Sequence, residues 1–197
     1  MKIDQALLKT LQLRIADGEQ RAFGDLYRLF AARLFNFALL YVHRKEVAEE
    51  IIQDIMVRIW SKRDTISEIQ SLETYLFVAT RNRCLTHRSK YSQLFISISW
   101  PDDQAEIVNF NDPARALEWK EIHFRLMQAI DALPDQCRTV FKLIKEEGFR
   151  YKQVAEILCI SPRTVETQLF RALKKLNEVI AFYSDNRDIK KDNEQFR

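Results

Sequence analysis

Arg163, Thr167, Phe170, Arg171 and Lys174 recur at intervals of three and four residues, which places them on one side of a helix turning about 100° per residue. Guanidinium, ammonium and hydroxyl donors around an aromatic ring have one obvious chemistry, recognition of nucleic acid. In a major groove an arginine pairs with a guanine edge and an apolar side chain meets a thymine methyl. Glu166 flanks this side and has two readings: it accepts from a cytosine amine, or it stays solvated and repels phosphate. Val165, Leu169, Ala172 and Leu176 form the opposite stripe, with Leu173 at its edge, and that stripe must pack inward.

The residues before this helix are those needed to present it. Ser161 followed by Pro162 reads as a helix cap and first helical residue, because the serine oxygen accepts an orphan N–H and proline lacks one to orphan. Cys159 and Ile160 form a tight turn. Before them, Tyr151 to Leu158 is long enough for a short helix with Val154, Ala155 and Leu158 facing inward. Helix, tight turn and a second helix with a basic outer face make a helix-turn-helix, whose second helix enters the groove. A basic stripe alone also fits an ordinary solvated helix; the turn and the Ser-Pro start favour DNA.

Two further helices carry charge in patterns of their own. Glu46, Glu50 and Asp54 stand four residues apart and set three carboxylates in a line, beside an inward stripe of Ala48, Ile52, Ile55 and Ile59. Gln53, Met56 and Trp60 border that stripe. An acidic line beside exposed apolar residues suits protein docking, because it repels phosphate; a merely solvated acidic face is the alternative. Downstream, Arg81, Arg83, His87, Arg88 and Lys90 cluster with Asn82 and Thr86 in the last turns of another helix, and Arg83, His87 and Lys90 share a face. These cations suit contact with DNA, and they also suit the negative end of a helix dipole.

Composition bounds the architecture. In 197 residues there are only 3 glycines and 4 prolines, so long periodic runs go uninterrupted and the fold class is all-α. A net charge of +3 is too small to argue for nucleic acid by itself; the placement of the charges carries that case. Cys84, Cys137 and Cys159 are odd in number and widely spaced, without paired histidines, so neither a disulfide framework nor a metal site is expected, and all three read as small buried residues. No apolar run spans a bilayer and the N-terminus lacks a secretory apolar core, so the chain is expected in a reducing cytoplasm, without membrane insertion. No nucleophile–base pair and no glycine-rich phosphate loop is present, so neither catalysis nor a cofactor is expected.

The pattern predicts helices from about Asp4 to Ala16, Glu19 to Val42 and Glu46 to Trp60, a polar loop from Ser61 to Gln70, and a helix capped by Ser71 reaching Tyr91. Residues 1–91 then form one small helical domain. Residues 92–111, where Ile96, Ile98 and Trp100 alternate with serines, read as a flexible, extended linker. Asp112 with Pro113 opens a helix to about Ala132, and Pro134 opens another that stops at Gly148. With the helix-turn-helix these make a second small domain over 112–183, followed by a polar tail, 184–197, expected to fray.

The ordered set of segments resembles the extracytoplasmic-function group of bacterial sigma-70 factors. Ala48 to Trp60, AEEIIQDIMVRIW, is similar to that family's core-polymerase-binding helix; Tyr75 to Lys90, YLFVATRNRCLTHRSK, to its minus-10-reading helix; Tyr151 to Asn177 to its minus-35-reading module; and Leu133 to Phe141, LPDQCRTVF, to the start of the helix before it. The resemblance implies that Glu50, Gln53 and Asp54 engage the clamp helices of the polymerase largest subunit, within a docking set completed by Glu46, Met56 and Trp60. It implies that Arg81, Asn82, Arg83, Thr86, His87, Arg88 and Lys90 act at the melted minus-10 element, with the Ser61 to Gln70 loop holding a flipped base. It implies a minus-35 set of Arg163, Thr164, Glu166, Thr167, Phe170, Arg171 and Lys174. Core RNA polymerase and promoter DNA are the implied partners, together with an anti-sigma protein of the kind often associated with a membrane.

Four positions depart from the family pattern. Cys159 stands in the turn where glycine is frequent, Met56 replaces a common Phe, Gln153 a usual Glu, and Thr86 a common Asp. Two other classes of function remain open on the sequence: a stand-alone helix-turn-helix regulator that binds duplex DNA, commonly as a dimer, and a helical adaptor that uses Arg163, Phe170 and Arg171 as a protein-binding face.

Overall fold

A computed structural model describes residues 3–91 and 123–194, with side chains described as far as residue 89 in the first stretch and 178 in the second. Its helices are α1 (Gln5–Ala16), α2 (Gln20–Val42), α3 (Lys45–Ser61), α4 (Leu72–Tyr91), α5 (helical over the described residues 123–131), α6 (Asp135–Lys145), α7 (Tyr151–Leu158) and α8 (Pro162–Glu194), with a 3₁₀ helix, Arg63–Glu68, between α3 and α4. No strand occurs among the described residues, and the chain divides into two compact units, Met1–Trp100 with Leu143–Pro162, and Pro101–Lys142 with Arg163–Arg197. The expected linker at 92–111 lies outside the described residues.

The first unit is built around α2. Ala22, Leu26, Phe30, Leu34, Phe37 and Ala38 are buried at spacings of three and four, one continuous stripe along a 23-residue helix. Against it pack α1, α3 and α4, and the aromatic centre of the core is Phe37 beside Phe77, ring centroids 5.0 Å apart. Asp4 caps α1 by accepting from the Ala6 N–H at 2.9 Å; the helix stops at Gly18, whose φ of 83° is the left-handed geometry a glycine adopts without a Cβ clash. Residues 143–162 complete this unit: α7 packs on α4, and Phe149 meets the edge of the Phe77 ring at 4.9 Å.

Three expectations change here. The Ser61 to Gln70 loop is not an unanchored polar loop: it winds into the 3₁₀ helix because Ile66 is pulled into the core, 2% exposed, and α1 holds its carbonyls. The polar tail does not fray from Ser184: α8 runs on to Glu194, since nothing after Pro162 breaks the helix and glutamate, lysine and arginine sustain it. Cys159, expected to be buried, is exposed, whereas Cys84 and Cys137 are buried.

In the second unit, Ile130, Leu133, Cys137, Ala172 and Leu176 form a core to which Leu126, Ala129 and Phe141 add. Arg138 fixes the bend into α6, donating to the Asp131 carbonyl at 2.7 Å and to Asp135 Oδ1 at 2.5 Å. Such a turn leaves few backbone groups unpaired.

Candidate nucleic-acid and protein interfaces

On α3 the inward arc is broad, because helices cover it from more than one side. Val47, Ala48, Ile51, Ile52, Ile55, Met56 and Ile59 are all buried. Met56 is therefore a core residue, 3% exposed, and is corrected from the docking face: four residues after Ile52, it lies within the inward arc rather than at its border. Trp60 is half-buried, its ring 5.1 Å from that of Phe23 and beneath the Arg63 guanidinium at 5.3 Å. Glu46, Glu50, Gln53 and Asp54 are exposed as expected. The apolar residue beside them is Val57, 66% exposed, which the helical wheel reveals as the one valine outside the stripe and which the sequence reading missed.

The basic end of α4 lies next to this face. Arg83 donates from Nη2 to Asp54 Oδ2, so one member of each predicted set is tied to the other. Below the pair runs a groove of about 490 Å³ whose walls include Asp54, Arg58, Tyr75, Asn82, Arg83 and Thr86. Asn82 and Arg88 are exposed and His87 is half-buried. Thr86 spends its hydroxyl on the Asn82 carbonyl at 2.9 Å, leaving its methyl and its oxygen lone pairs outward. Arg81 reaches Asn82 Oδ1 at 3.4 Å. The side chain of Lys90 lies outside the described residues.

Beneath these surfaces Cys84 of α4 and Tyr41 of α2 are held neutral. Burial pushes the Cys84 thiol up to about 12, and burial also raises the Tyr41 phenol to about 12 against the opposing pull of Arg81. Neither group ionises near neutral pH.

The helix-turn-helix has the bounds its sequence dictates. The Arg150 N–H donates to Gln153 Oε1 at 3.0 Å at the start of α7. At its end Cys159 takes φ 53° and ψ 47°, and the Ile160 N–H donates to the Ala155 carbonyl at 3.0 Å, a Schellman closure built on a residue that carries a Cβ. This geometry turns the thiol outward, away from the stripe that ends at Leu158. Pro162 then opens α8, with Val165, Leu169, Ala172 and Leu176 buried. Arg163, Glu166, Thr167, Arg171 and Lys174 are exposed, Thr164 is half-buried, and Phe170 stands 68% exposed among the cations. Gln168 registers α8 against α6, donating to Gln136 Oε1 at 2.9 Å and accepting from the Cys137 thiol at 2.8 Å.

Comparison with known proteins decides the family. The model for Sigma-70 region 2 matches residues 26–93 and that for Sigma-70, region 4 matches residues 123–176, together more than half of the chain. The chain belongs to the sigma-70 family, in its extracytoplasmic-function group. It is 22% identical over 184 residues to the RNA polymerase sigma-H factor of Pseudomonas aeruginosa, covering 90% of this chain and 93% of the relative. It is 24% identical to the ECF RNA polymerase sigma factor RpoE of Cereibacter sphaeroides, covering 81% and 87%. Among solved structures, the sigma factor RpoE of Bartonella quintana, crystallised with the anti-sigma factor NepR, shares the fold with a TM-score of 0.58 at 23% identity, over 81% of this chain and 96% of that one.

As a sigma factor the chain is a non-enzymatic subunit that directs RNA polymerase to promoters. Among the described residues no helix is long and apolar enough to cross a membrane.

Proposed function

We propose that this sigma factor docks on core RNA polymerase through the exposed α3 face of Glu46, Glu50, Gln53 and Asp54, with Val57 as its apolar contact and Trp60 at its margin. In the same assembly Arg81, Asn82, Arg83, Thr86, His87, Arg88 and Lys90 of α4 hold the melted minus-10 strand, and Arg163, Thr164, Glu166, Thr167, Phe170, Arg171 and Lys174 of α8 read the minus-35 duplex. Functionally the chain divides into 1–91 for polymerase and minus-10, 92–111 as linker, 112–183 for minus-35, and 184–197 as a polar tail, helical as far as Glu194.

The observation that carries this reading is the shared groove between α3 and α4. An acidic face repels phosphate and a basic face attracts it, so the two meeting at Asp54 and Arg83 orient the protein: polymerase on one side, single-stranded DNA on the other. Unstacking a base costs a few kcal/mol, which a cationic groove with amide and hydroxyl groups offsets by stacking and hydrogen bonding. The 3₁₀ helix Arg63–Glu68 stands beside α3 as the element that would cradle a flipped base. Nucleotidyl chemistry belongs to the polymerase.

Regulation follows from the relatives. The Bartonella quintana factor was crystallised with an anti-sigma protein, and we assign this chain a partner of the same class, of the kind often associated with a membrane, which covers the polymerase- or DNA-binding surfaces. The sigma factor itself acts in the cytoplasm. The deciding experiment adds the purified chain to sigma-free core polymerase and candidate promoter templates and maps transcript starts. Promoter-dependent initiation is expected; no association with core and no specific start would sink the sigma reading.

A further inference from the structure

We propose that Arg58 of α3 holds a phosphate of the melted minus-10 strand, so that α3 serves polymerase with one face and DNA with the next. This rests on the reading of α3 as the docking helix and α4 as the minus-10 helix, and it places a DNA contact on the helix assigned to polymerase.

On α3 the row of residues four apart does not run straight. Each step of four turns about 40° further around the helix, so Glu46, Glu50, Asp54 and Arg58 wind from the docking face toward α4. Arg58 ends about 120° from Glu46, in the wall of the α3–α4 groove of about 490 Å³. The α4 wall, Tyr75, Val78, Ala79, Asn82, Arg83 and Thr86, follows spacings of three and four and is one stripe of that helix. Ile55 and Ile59, 6% and 5% exposed, give the groove an apolar floor on the α3 side. Arg58, Asn82, Arg83 and Thr86 are exposed at its rim.

Charge selects the occupant. Asp54 stands four residues before Arg58, the usual helical partner of a cation, yet its Oδ2 accepts from Arg83. The Arg58 guanidinium is left with no ion pair or hydrogen bond among the described residues. Two cations and one carboxylate therefore line the groove, and the carboxylate is already engaged. An apolar floor beneath cations, an amide and a hydroxyl suits a single strand, with bases turned inward and phosphates at the rim. A guanidinium meets a phosphodiester with two parallel N–H donors, a geometry that holds the strand in register.

Arg58 also lies in the last turn of α3, where the negative end of the helix dipole attracts a cation. That attraction acts at every outward position of the turn and does not aim the side chain. The neighbouring outward positions are Val57, on the docking side, and Ser61, whose hydroxyl donates to the Val57 carbonyl at 2.8 Å. Of the three, Arg58 is the cation and the one that lines the groove.

The test uses holoenzyme assembled from core polymerase and the full chain. Its probe is a promoter chosen by its mapped transcript start, prepared as a fork in which the minus-10 segment is present only as the nontemplate strand. Arg58→Gln should leave core affinity within about twofold of the native chain and weaken fork binding roughly tenfold, the scale of one charged hydrogen bond. The slope of log affinity against log salt should shrink by about 0.7, the increment of one phosphate contact on a single strand. Arg58→Lys keeps the charge and should stay within about threefold. Single phosphates of the strand are then replaced by neutral methylphosphonates. The native chain should lose affinity at one linkage to which Arg58→Gln is indifferent, a response that a structural role does not produce. Weakened core binding with an unchanged salt slope would give Arg58 to polymerase, and no change in either would leave it a solvated cation at a helix end; each overturns the contact. If the native chain neither binds core nor prefers the fork to mixed-sequence DNA, the sigma reading falls and this contact with it, before any variant is compared.

Discussion

Arg83 and Asp54, twenty-nine residues apart, form an ion pair that joins the basic end of α4 to the acidic line of α3. Each side chain is about half exposed, 49% and 45%, so the pair is a contact that solvent and partners can contest. Exposed pairs contribute about 0–1 kcal/mol. A polymerase helix that engages Asp54 frees the Arg83 guanidinium at no large cost, and DNA that engages Arg83 frees Asp54.

Asp54→Asn should therefore leave the fold almost untouched, shifting the melting temperature by no more than about 2–4 °C for a loss of at most ~1 kcal/mol. Core-polymerase affinity should fall, and fall further in Glu50→Lys with Asp54→Lys. Calorimetry and a binding titration with core separate the two effects. Normal assembly of the double variant would remove this face from docking.

At the other end of the chain Phe170 is 68% exposed and supports nothing inside the protein. Phe170→Ala should change stability by less than ~0.5 kcal/mol, as surface substitutions do. Its effect should appear as lost discrimination between cognate and thymine-substituted minus-35 duplexes. Arg171→Ala should cost roughly 1–3 kcal/mol on the cognate duplex if it makes a bidentate base contact. An equal loss on random DNA would mean that Arg171 touches phosphate instead.

What could be read in advance was whatever depends on one helix at a time. The Ser161-Pro162 start, the α7 bounds and the Val165, Leu169, Ala172, Leu176 stripe follow from caps and periodicity, and all appear. Met56 was misplaced because the width of an inward arc depends on how many neighbours cover the helix, which a wheel does not contain. Cys159 was misplaced because residue type alone does not say which way a side chain points one residue past a helix, where the backbone turns left-handed. The Arg83 to Asp54 and Arg33 to Glu147 pairs join segments distant in sequence, and charge pattern alone does not say which cation finds which carboxylate.

Cys159 gives a test of that turn. A side chain at φ 53° costs about 1–2 kcal/mol over glycine, against which glycine loses about 0.5–1 kcal/mol in chain entropy. Cys159→Gly should raise stability by a few tenths to about 1 kcal/mol, and Cys159→Val should lower it, since a β-branched residue tolerates this region worst. Denaturant unfolding measures both; a destabilised glycine variant would contradict the strain. In the native chain a thiol reagent should modify Cys159 alone, because Cys84, fully buried and with its thiol pushed up to about 12, offers no thiolate, and Cys137 is buried.

Gln12 is the residue whose role was least visible, a polar side chain 2% exposed on an otherwise ordinary amphipathic helix. Its Nε2 donates to the Ile66 carbonyl at 2.7 Å and to the Ile69 carbonyl at 2.8 Å, pinning the C-terminal half of the 3₁₀ segment to α1, while Lys9 Nζ holds the Ser67 carbonyl at 2.7 Å. Gln12→Met keeps the volume and removes both bonds; the buried Ile66 carbonyl keeps the Ile69 N–H at 3.2 Å, and the part-buried Ile69 carbonyl loses the amide that held it. A loss of about 0.5–1.5 kcal/mol is expected for each hydrogen bond removed. The segment it releases is the one proposed to cradle a flipped base, so open-complex formation should slow more than polymerase binding weakens. Permanganate footprinting of the melted minus-10 region, set beside the core-binding titration, distinguishes the two; equal effects on both would make Gln12 a general stabiliser of the bundle and not the anchor of the base-holding element.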